Sequence, residues 1–243
     1  MNETVQTAQR PAISVFFPAY NDAGSIALLV ERAHETLESL AADFEVIVVN
    51  DGSTDSTQEV LDELARRRPA LRVIRHERNR GYGGALRSGF GAATKELVFY
   101  TDGDGQYDVR ELKKLVPLLT EGVDIVNGYK LKRADDASRK VIGAAYNRLA
   151  HLLFRIPVRD VDCDFRLIRR RALERVRLTS TSGVICVELV HKLCAAGSRF
   201  AEAPVQHYPR EHGRSQFFTA RRVARTALDL LRLWVKLVVL KRA

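Results

Sequence analysis

The first half of the chain alternates short segments rich in β-branched and aromatic residues with longer amphipathic segments. The short segments predict strands at Ile13–Phe17, Phe44–Val49, Leu71–Ile74, Leu97–Tyr100 and Val123–Val126. The amphipathic segments predict helices at Ser25–Leu40, Thr54–Arg67, Tyr82–Ala93 and Val109–Leu119. Strands and helices that alternate at this spacing form βαβ units. The sequence therefore predicts an α/β fold with a mostly parallel central sheet flanked by helices.

The second half has a looser pattern and no internal repeat or linker. It predicts helices at 138–154 and 184–196, strands at 165–168 and 200–205, and a C-terminal amphipathic helix. We expect a flexible N-terminus at 1–10, a single domain over 11–216, and a basic amphipathic helix over 217–243 that binds a membrane interface or another subunit.

Charge is distributed unevenly between the two halves. Residues 1–125 carry 14 Lys and Arg against 20 Asp and Glu, whereas residues 126–243 carry 25 against 10. An acidic half suits a metal ion, and a basic half suits anionic ligands. The three cysteines, Cys163, Cys186 and Cys194, lack the spacing of a zinc site and fit a reducing cytoplasm. The polar N-terminus has no apolar stretch typical of a secretion signal.

Polar, glycine-containing segments follow four of the predicted strands. In parallel sheets, ligands bind beyond the carboxyl ends of the strands. We therefore expect these four segments to form one ligand site at a single edge of the sheet. They are 18–22, 50–55, 79–84 and 102–104.

Two carboxylates separated by one glycine follow the strand Leu97–Tyr100 directly. If the extended geometry persists, Asp102 and Asp104 point the same way. Hard anionic oxygens suit Mg²⁺ or Mn²⁺, and such a metal would hold a diphosphate. A solvated Asp-Gly turn is the alternative for this pattern taken alone.

The two neighbouring segments have distinct interpretations. Asp51, at the end of an apolar strand, is placed to accept hydrogen bonds from a nucleotide base or ribose, and we expect part of the segment Ser53–Asp55 to cap the following helix. The glycines Gly81, Gly83 and Gly84 do not match the dinucleotide fingerprint, which disfavours hydride transfer. We expect them to permit close packing beside a bound nucleotide.

Acidic residues in the second half form another candidate site. If the segment is extended, Asp160, Asp162 and Asp164 face one way and need a metal, a cation or solvent. A surface loop bonded to neighbouring arginines is the alternative. Glu188 lies on an apolar helical segment, where an unpaired carboxylate would be costly, so it pairs with a cation or points into a cleft.

Cations, histidines and a hydroxyl group together after the last strand, at 204–215. We expect phosphate contacts from Arg210 and Ser215 rather than metal ligation by His207 or His212. Farther on, charged residues share one helical face at 221, 225, 229, 232 and 236. No apolar run there reaches the roughly 18 residues needed to span a bilayer. The pattern is typical of a helix in a membrane interface, with docking on the protein's own core or a twin subunit as the alternative.

In this order, the motifs resemble those of family 2 glycosyltransferases with the GT-A fold. Within that family the chain is most similar to the polyprenyl-phosphate sugar synthases of the dolichyl-phosphate mannose synthase and bactoprenol glucosyltransferase type. The resemblance runs from Ile13 to Ser215, with Asp22 where a glutamate is commoner and Asp164 where a glycine is usual. The Gln-x-x-Arg-Trp sequence of processive synthases is absent, which favours single transfer.

The resemblance implies an inverting transferase that moves a hexose from a UDP- or GDP-linked sugar to a polyprenyl phosphate at the cytoplasmic membrane face. It implies donor-binding roles for Pro18, Ala19, Tyr20, Asp22, Asp51, Ser53, Gly81, Asp102, Gly103, Arg210 and Ser215. It implies Mg²⁺ or Mn²⁺ held by Asp102, Asp104 and Gln106. The catalytic candidates are Asp104, Asp160, Asp162, Arg166 and Glu188. From the basic half, the candidates for the acceptor phosphate are Lys130, Arg133 and Arg139.

Two alternatives remain open from the sequence. In the first, the same fold glycosylates a soluble hydroxyl, with Asp160 or Glu188 as the base and the tail as a dimer helix. A non-catalytic nucleic-acid binder would fit the pI of 9.7 but would have no use for Asp102 and Asp104. We expect a nucleotide sugar, a lipid phosphate and a membrane surface as partners, and no nucleic acid. The sequence also allows a homo-oligomer.

Overall fold

The central element of the computed structural model, which describes residues 10–131, 137–211 and 220–241, is a seven-stranded sheet. Its strands lie in the order β3-β2-β1-β4-β6-β5-β7. They are β1 (Ala12–Ala19), β2 (Asp43–Asn50), β3 (Leu71–Arg75), β4 (Leu97–Thr101), β5 (Ile125–Lys130), β6 (Phe165–Arg169) and β7 (Phe200–Val205).

The sheet is mostly parallel, as predicted. Strands β1 to β4 pair in parallel with one another, and β5 pairs in parallel with β7. Strand β6 is antiparallel to both of its neighbours, β4 and β5. The carboxyl ends of β1, β2, β3 and β4 therefore meet at one edge.

Helices cover both faces of the sheet. They are α1 (Ile26–Leu40), α2 (Thr57–Arg67), α3 (Tyr82–Ala92), α4 (Leu112–Leu115), α5 (Ala137–Phe154), α6 (Arg170–Leu173), α7 (Ile185–Ala195) and α8 (Ala220–Trp234). Side chains alternate along β1, so that Val15 and Phe17 pack on the face covered by α1, α2 and α4. Phe16 packs on the opposite face with α3, α6 and α7. The two cores fix the sheet rigidly beneath its polar edge.

Three predicted elements differ in detail. The helix predicted at 109–119 is broken into a 3₁₀ turn, the short α4 and a second 3₁₀ turn that contains Pro117, because proline lacks the N–H that a longer helix needs. Strand β5 begins later than predicted and continues through Asn127 and Gly128, since it pairs on both sides. Helix α2 begins at Thr57 rather than Thr54.

The C-terminal helix packs on the protein itself along one side. Leu230, Leu233 and Leu237 are buried in a third core with residues of α5 and α7. The last turns, Val235–Val239, widen into a π-helix. Other apolar residues of this segment stay exposed, namely Leu228, Leu231, Val235, Val239 and Leu240. Across the described ranges, every helix falls short of the length and apolarity that crossing a membrane requires.

Candidate functional site

The four polar loops meet at one edge of the sheet, as the sequence predicts. The loop after β1 contacts the loop after β2, because the Asn21 backbone N–H donates to Ser53 Oγ at 3.0 Å. The loop after β3 joins through the Arg80 N–H, which donates to Asp51 at 2.8 Å. The Tyr82 hydroxyl then donates to Asp102, after β4, at 2.7 Å.

The predicted donor-binding loop Pro18–Asp22 lies directly against the carboxylate segment after β4. The Gly103 N–H donates to the Pro18 carbonyl at 3.2 Å, and a Cβ on Gly103 would lie 2.6 Å from that oxygen. Only glycine therefore allows the two loops this approach. Asp22 accepts from the Tyr20 N–H at 2.9 Å, which makes the loop compact.

The N-cap residue of α2 is Ser56, whose side chain makes no capping hydrogen bond, so the predicted cap within Ser53–Asp55 is met only in part, by Asp55 one residue earlier. Asp55 Oδ1 accepts from the backbone N–H of Thr57, the first residue of α2, at 3.0 Å. Ser53 Oγ is engaged with the β1 loop, and its N–H donates to Asn50 Oδ1 at 3.0 Å. Ser53 thus ties two loops together.

Asp51 lies at the end of β2 and is almost fully buried. Its Oδ1 accepts from His76 Nδ1 at 2.6 Å and from the Arg80 N–H, while His76 Nε2 bonds Ser88 Oγ at 2.9 Å. The sequence analysis missed His76 and Ser88. A polar residue directly after β3, on the same edge as the other loops, is the signal that identifies His76.

The carboxylate of Asp102 carries unfavourable negative charge. Loss of solvent and the nearby charges of Asp164 and Asp104 raise the pKa of Asp102 well above its usual range, against the lowering effects of Tyr82 and Lys130. The site therefore gains from a cation beside Asp102.

The negative charge of Asp104 acts on both Asp102 and Asp22. Arg210 forms an ion pair with Asp104, and the Gln106 N–H donates to Asp104 Oδ1 at 3.0 Å. Burial, together with Asp104 and Asp55, raises the pKa of Asp22 to about 6, although the Tyr20 N–H and Arg210 lower it. The Nε of Arg210 is buried and has no partner among the described residues.

These residues fit a divalent cation bound together with a diphosphate. Within the described ranges, no three His, Cys, Asp or Glu side chains are grouped as a complete metal site. Mg²⁺, however, is commonly held by one or two carboxylates plus substrate phosphates. Asp102 and Asp104 supply the carboxylates, and Gln106 Nε2 donates to the Tyr208 carbonyl at 3.1 Å, which leaves its Oε1 for a ligand. The orphaned Arg210 Nε suits a phosphate oxygen.

The acidic segment 160–164 is a turn, so the expectation that its three carboxylates face one way in an extended chain is wrong. The backbone turns at Val161–Asp162, and the Asp162 N–H donates to Asp160 Oδ1 at 3.2 Å. Lys130 Nζ lies 3.8 Å from Asp160 and 3.7 Å from Asp162. The predicted need for a cation is met by Lys130, whose side chain is 5% exposed. Lys130 therefore pairs with these two acids, and its positive charge also lowers the pKa of Asp102.

Arg166 and Asp164 form a buried network behind the edge. Arg166 is fully buried and donates to Asn127, Tyr100 and the Val161 carbonyl, and it pairs with Asp164 at 3.1 Å. Arg166 has no exposed surface and helps to position the turn 160–164 through its bond to the Val161 carbonyl, while its catalytic role stays a prediction. Sequence reasoning missed Tyr100 and Asn127.

Glu188 is also engaged structurally. It accepts from the Thr179 and Ser180 backbone N–H groups at 3.1 and 2.8 Å and pairs with Lys192 at 3.1 Å. Burial raises the pKa of Glu188, but the bonds from Ser180, Lys192 and Thr179 overcome this and lower it. The predicted cation partner is confirmed, and no lone pair is left for acid–base work.

Gly81 and Gly83, at the start of α3, pack on the loop that also holds Glu188, whereas Gly84 lines an open cavity with Arg80, Arg87, Ser88 and Thr181. A Cβ on Gly81 or Gly83 would lie 2.5 Å from the carbonyl oxygen of Thr181 or Ser180. Of the remaining predicted residues, Arg133, His212 and Ser215 lie outside the described residues, as does the side chain of Arg139.

The fold and this edge are those of a glycosyltransferase domain of the GT-A type. The chain belongs to glycosyl transferase family 2, whose model matches residues 14–177. It is 36% identical over 245 residues to glycosyltransferase AglD of Haloferax volcanii, covering 97% of this chain and 39% of AglD. It is 30% identical over 233 residues to a dodecaprenyl-phosphate galacturonate synthase of Rhizobium johnstonii, covering 95% and 68%.

Two solved structures share the fold. Glucosyl-3-phosphoglycerate synthase of Mycobacterium tuberculosis, in complex with Mn²⁺, UDP and phosphoglyceric acid, has a TM-score of 0.70 at 20% identity over 92% of this chain and 78% of that one. Mannosyltransferase PcManGT of Pyrobaculum calidifontis, with GDP-Man and Mn²⁺, has a TM-score of 0.68 at 23% identity over 94% and 65%. This chain spans well under half the length of AglD.

Proposed function

We propose that the chain transfers a hexose from a UDP- or GDP-linked sugar to a polyprenyl phosphate, with Mg²⁺ or Mn²⁺, at the cytoplasmic face of a membrane. The observation that carries this proposal is the surplus of negative charge around Asp102 and Asp104, next to the Nε of Arg210, which no described residue partners. The similarity to the galacturonate synthase supports the choice of a lipid phosphate.

The donor binds across the four loops. Asp51 contacts the nucleoside, with Pro18, Ala19, Tyr20 and Ser53 forming the loops around it. Asp102, Asp104 and Gln106 would hold the divalent cation, which would neutralise charge that develops on the departing diphosphate. When the donor binds, Arg210 breaks its ion pair with Asp104 and contacts a phosphate oxygen instead. This contact would give its buried Nε a hydrogen-bond acceptor.

The acceptor reacts beside the turn 160–164. A lipid phosphate is already an anion at neutral pH, since its second pKa is near 6, and it attacks without a strong general base. Asp160 and Asp162, held by Lys130, orient groups around the sugar and stabilise positive charge at the anomeric carbon. Arg133 and Arg139 contact the acceptor phosphate. Direct attack inverts the anomeric configuration.

A transfer assay tests the reaction. Purified protein, Mn²⁺ and a radiolabelled UDP- or GDP-hexose should give a labelled product with a short polyprenyl phosphate in detergent. The free polyprenol is the matched control, because it presents a hydroxyl and no phosphate. Glu188 has its acceptor sites filled, which removes one of the two base candidates of the soluble-hydroxyl alternative and leaves Asp160. Transfer to the polyprenol or to soluble hydroxyls, with none to the lipid phosphate, would contradict the proposal.

The C-terminal helix binds the membrane surface in which the lipid acceptor lies. Its exposed leucines and valines lie beside exposed cations at 221, 225 and 232. Such a face fits the interface of an anionic bilayer. Flotation with vesicles containing anionic lipid should recover the wild type, and L228E/L231E, which changes exposed positions only, should stay unbound. Equal recovery of both proteins would remove the helix from the membrane proposal.

A further inference from the structure

The segment 179–181, which precedes α7, is held in place by the buried carboxylate of Glu188. That carboxylate accepts from the Thr179 N–H at 3.1 Å, from the Thr179 hydroxyl at 2.9 Å and from the Ser180 N–H at 2.8 Å. Lys192, one turn farther along α7, is itself buried and pairs with Glu188 at 3.1 Å. Because hydrogen bonds to an ionised carboxylate are strong, this set of donors fixes the 179–181 segment in one conformation.

The 179–181 segment in turn fixes the start of α3. The Gly83 N–H donates to the carbonyl at residue 181 at 2.9 Å, and a Cβ on Gly81 or Gly83 would lie 2.5 Å from a carbonyl oxygen of the segment. Backbone contacts this close leave the start of α3 no room to shift. Tyr82, between the two glycines, donates its hydroxyl to Asp102 Oδ1 at 2.7 Å. The position of the segment therefore determines how the Tyr82 hydroxyl meets Asp102.

The C-terminal segment contacts the 179–181 segment from outside. Lys236 lies in the π-helical turns Val235–Val239, and its Nζ donates to Thr179 Oγ1 at 3.0 Å. The next residue, Leu237, is buried in the core that α8 shares with α5 and α7, so the backbone that carries Lys236 is anchored. The Thr179 hydroxyl accepts from Lys236 and donates to Glu188, which links the C-terminal segment to α7. Contacts therefore run without a break from the C-terminal segment to the carboxylates after β4.

We propose that Lys236 and Glu188 are positioning residues for the cation site. They hold the 179–181 segment, and through it the start of α3, so that the Tyr82 hydroxyl stays on one oxygen of Asp102. The other oxygen is then left for the metal ion. The inference rests on the proposed binding of a nucleotide together with a divalent cation, and it makes that binding depend on a residue of the proposed membrane helix.

The expected effects decrease along this series of contacts. Tyr82 touches Asp102 directly, and a hydrogen bond that orients a metal-binding carboxylate contributes about 10- to 100-fold in metal affinity. Lys236 acts only through the 179–181 segment, so its removal should have a smaller effect. Substitution of Glu188 would leave Lys192 buried without its counter-charge, which endangers the fold. Lys236, at the partly exposed edge of the network, is therefore the residue to vary.

Calorimetric titration of the whole chain with UDP and with GDP, each in Mn²⁺ and in EDTA, tests the inference. For one nucleotide, the ratio of the affinity in Mn²⁺ to that in EDTA isolates the contribution of the cation. We expect Tyr82→Phe to lower this ratio about tenfold and Lys236→Met about threefold, with the affinity in EDTA unchanged. Lys236→Arg, which keeps a donor, should restore most of the ratio. Arg232→Met, which removes an exposed cation one turn earlier, is the matched control and should leave the ratio unchanged.

The possible failures are distinguishable. A lower thermal midpoint of Lys236→Met with an unchanged ratio would give Lys236 a structural role only, and would overturn the inference. Equal losses in Lys236→Met and Arg232→Met would mean an effect of net charge on the helix, which also overturns it. A wild-type ratio well above one that neither Tyr82→Phe nor Lys236→Met lowers would overturn the inference and leave the proposed function intact. A wild type that binds neither nucleotide would overturn both.

Discussion

The pKa of Glu45, at the amino end of the central sheet, shifts in the opposite direction from those of Asp22 and Asp102, at its carboxyl end. At the amino end, Glu45 accepts from Ser14, from the Thr94 N–H and hydroxyl, and from Arg72, each within 2.7 Å. Burial raises the pKa of Glu45, but these donors overcome it and lower the pKa to about 2. At the carboxyl end, the pKa of Asp22 is raised to about 6 and that of Asp102 well above its usual range.

This difference in pKa shift distinguishes a carboxylate that stabilises the fold from carboxylates that are suited to binding a ligand. A carboxylate with a full set of donors stabilises the fold, whereas carboxylates whose mutual repulsion exceeds what nearby cations offset destabilise it until a ligand arrives. The carboxyl end therefore carries a cost in stability that a bound cation and donor would relieve. The predictions below test this contrast, in order of decreasing effect.

The largest effect is expected from the two carboxylates that follow β4. Asp102→Asn or Asp104→Ala should lower metal-dependent transfer by at least about 10³-fold, because a metal ion supplies several kcal/mol of charge stabilisation. The thermal midpoint of Asp102→Asn should be unchanged or higher, since the substitution removes crowded charge. Asp43→Asn, an exposed carboxylate at the amino end of the same sheet, is the matched control. Full activity in Asp104→Ala would exclude the metal assignment.

The next effect concerns Glu45. Its folded pKa lies below the ordinary 4.5, so its contribution is present above pH 4.5 and is lost as the pH falls towards 2. Glu45→Gln should lower the free energy of unfolding at pH 7 by about 2–3 kcal/mol, with transfer unchanged. Urea unfolding at pH 7 and pH 3 measures this. A loss of the same size at both pH values would show that the charge of Glu45 is not what stabilises the fold.

A smaller effect is expected at Ser14, which links β1 to Glu45. Its hydroxyl donates to Glu45 at 2.7 Å and accepts from the Lys95 N–H at 3.0 Å. Ser14→Ala should cost about 1–2 kcal/mol in unfolding free energy, because it leaves a buried acceptor and a donor with one partner fewer. Chemical denaturation checks this, and a stabilised Ser14→Ala variant would contradict the role given to the Glu45 network.

The smallest effect has the opposite sign. The folded pKa of Asp22, about 6, lies above its ordinary 3.8, so the fold is favoured below pH 3.8 and loses that advantage as the pH rises through 6. Asp22→Asn should therefore raise the free energy of unfolding at pH 8 by about 1 kcal/mol, after allowance for partial exposure. It should have no such effect at pH 4. If Asp22→Asn destabilised the protein at pH 8, the Asp22 carboxylate would stabilise the fold, as Glu45 does, and would not destabilise it, as Asp102 does.

Much of the fold was predictable because the strand and helix patterns of the first half are strongly periodic. Strands β1 to β4 and the shared edge of their loops follow from the sequence, and the structure confirms both. Strand β5 was placed too early because Asn127 and Gly128 are weak strand formers, and pairing with β6 and β7 overrides that preference.

The position of a residue at this edge was predictable where it lies shortly after a strand end, as Asp51, Asp102 and Asp104 do. It was not predictable where a role depends on contacts distant in sequence. Arg166 is taken out of solvent by Tyr100 and Asn127, and Asp51 is fixed by His76 and Ser88. Spacing along the chain contains no information on such pairs, because the sheet order brings them together.

The most direct test of the account is the dependence of UDP binding on a divalent cation. Titration of the protein with UDP should give an affinity at least about 100-fold higher with Mn²⁺ than with EDTA, and this difference should vanish in Asp102→Asn. Equal affinities of the wild type with Mn²⁺ and with EDTA would contradict the claim that the crowded carboxylates await a cation.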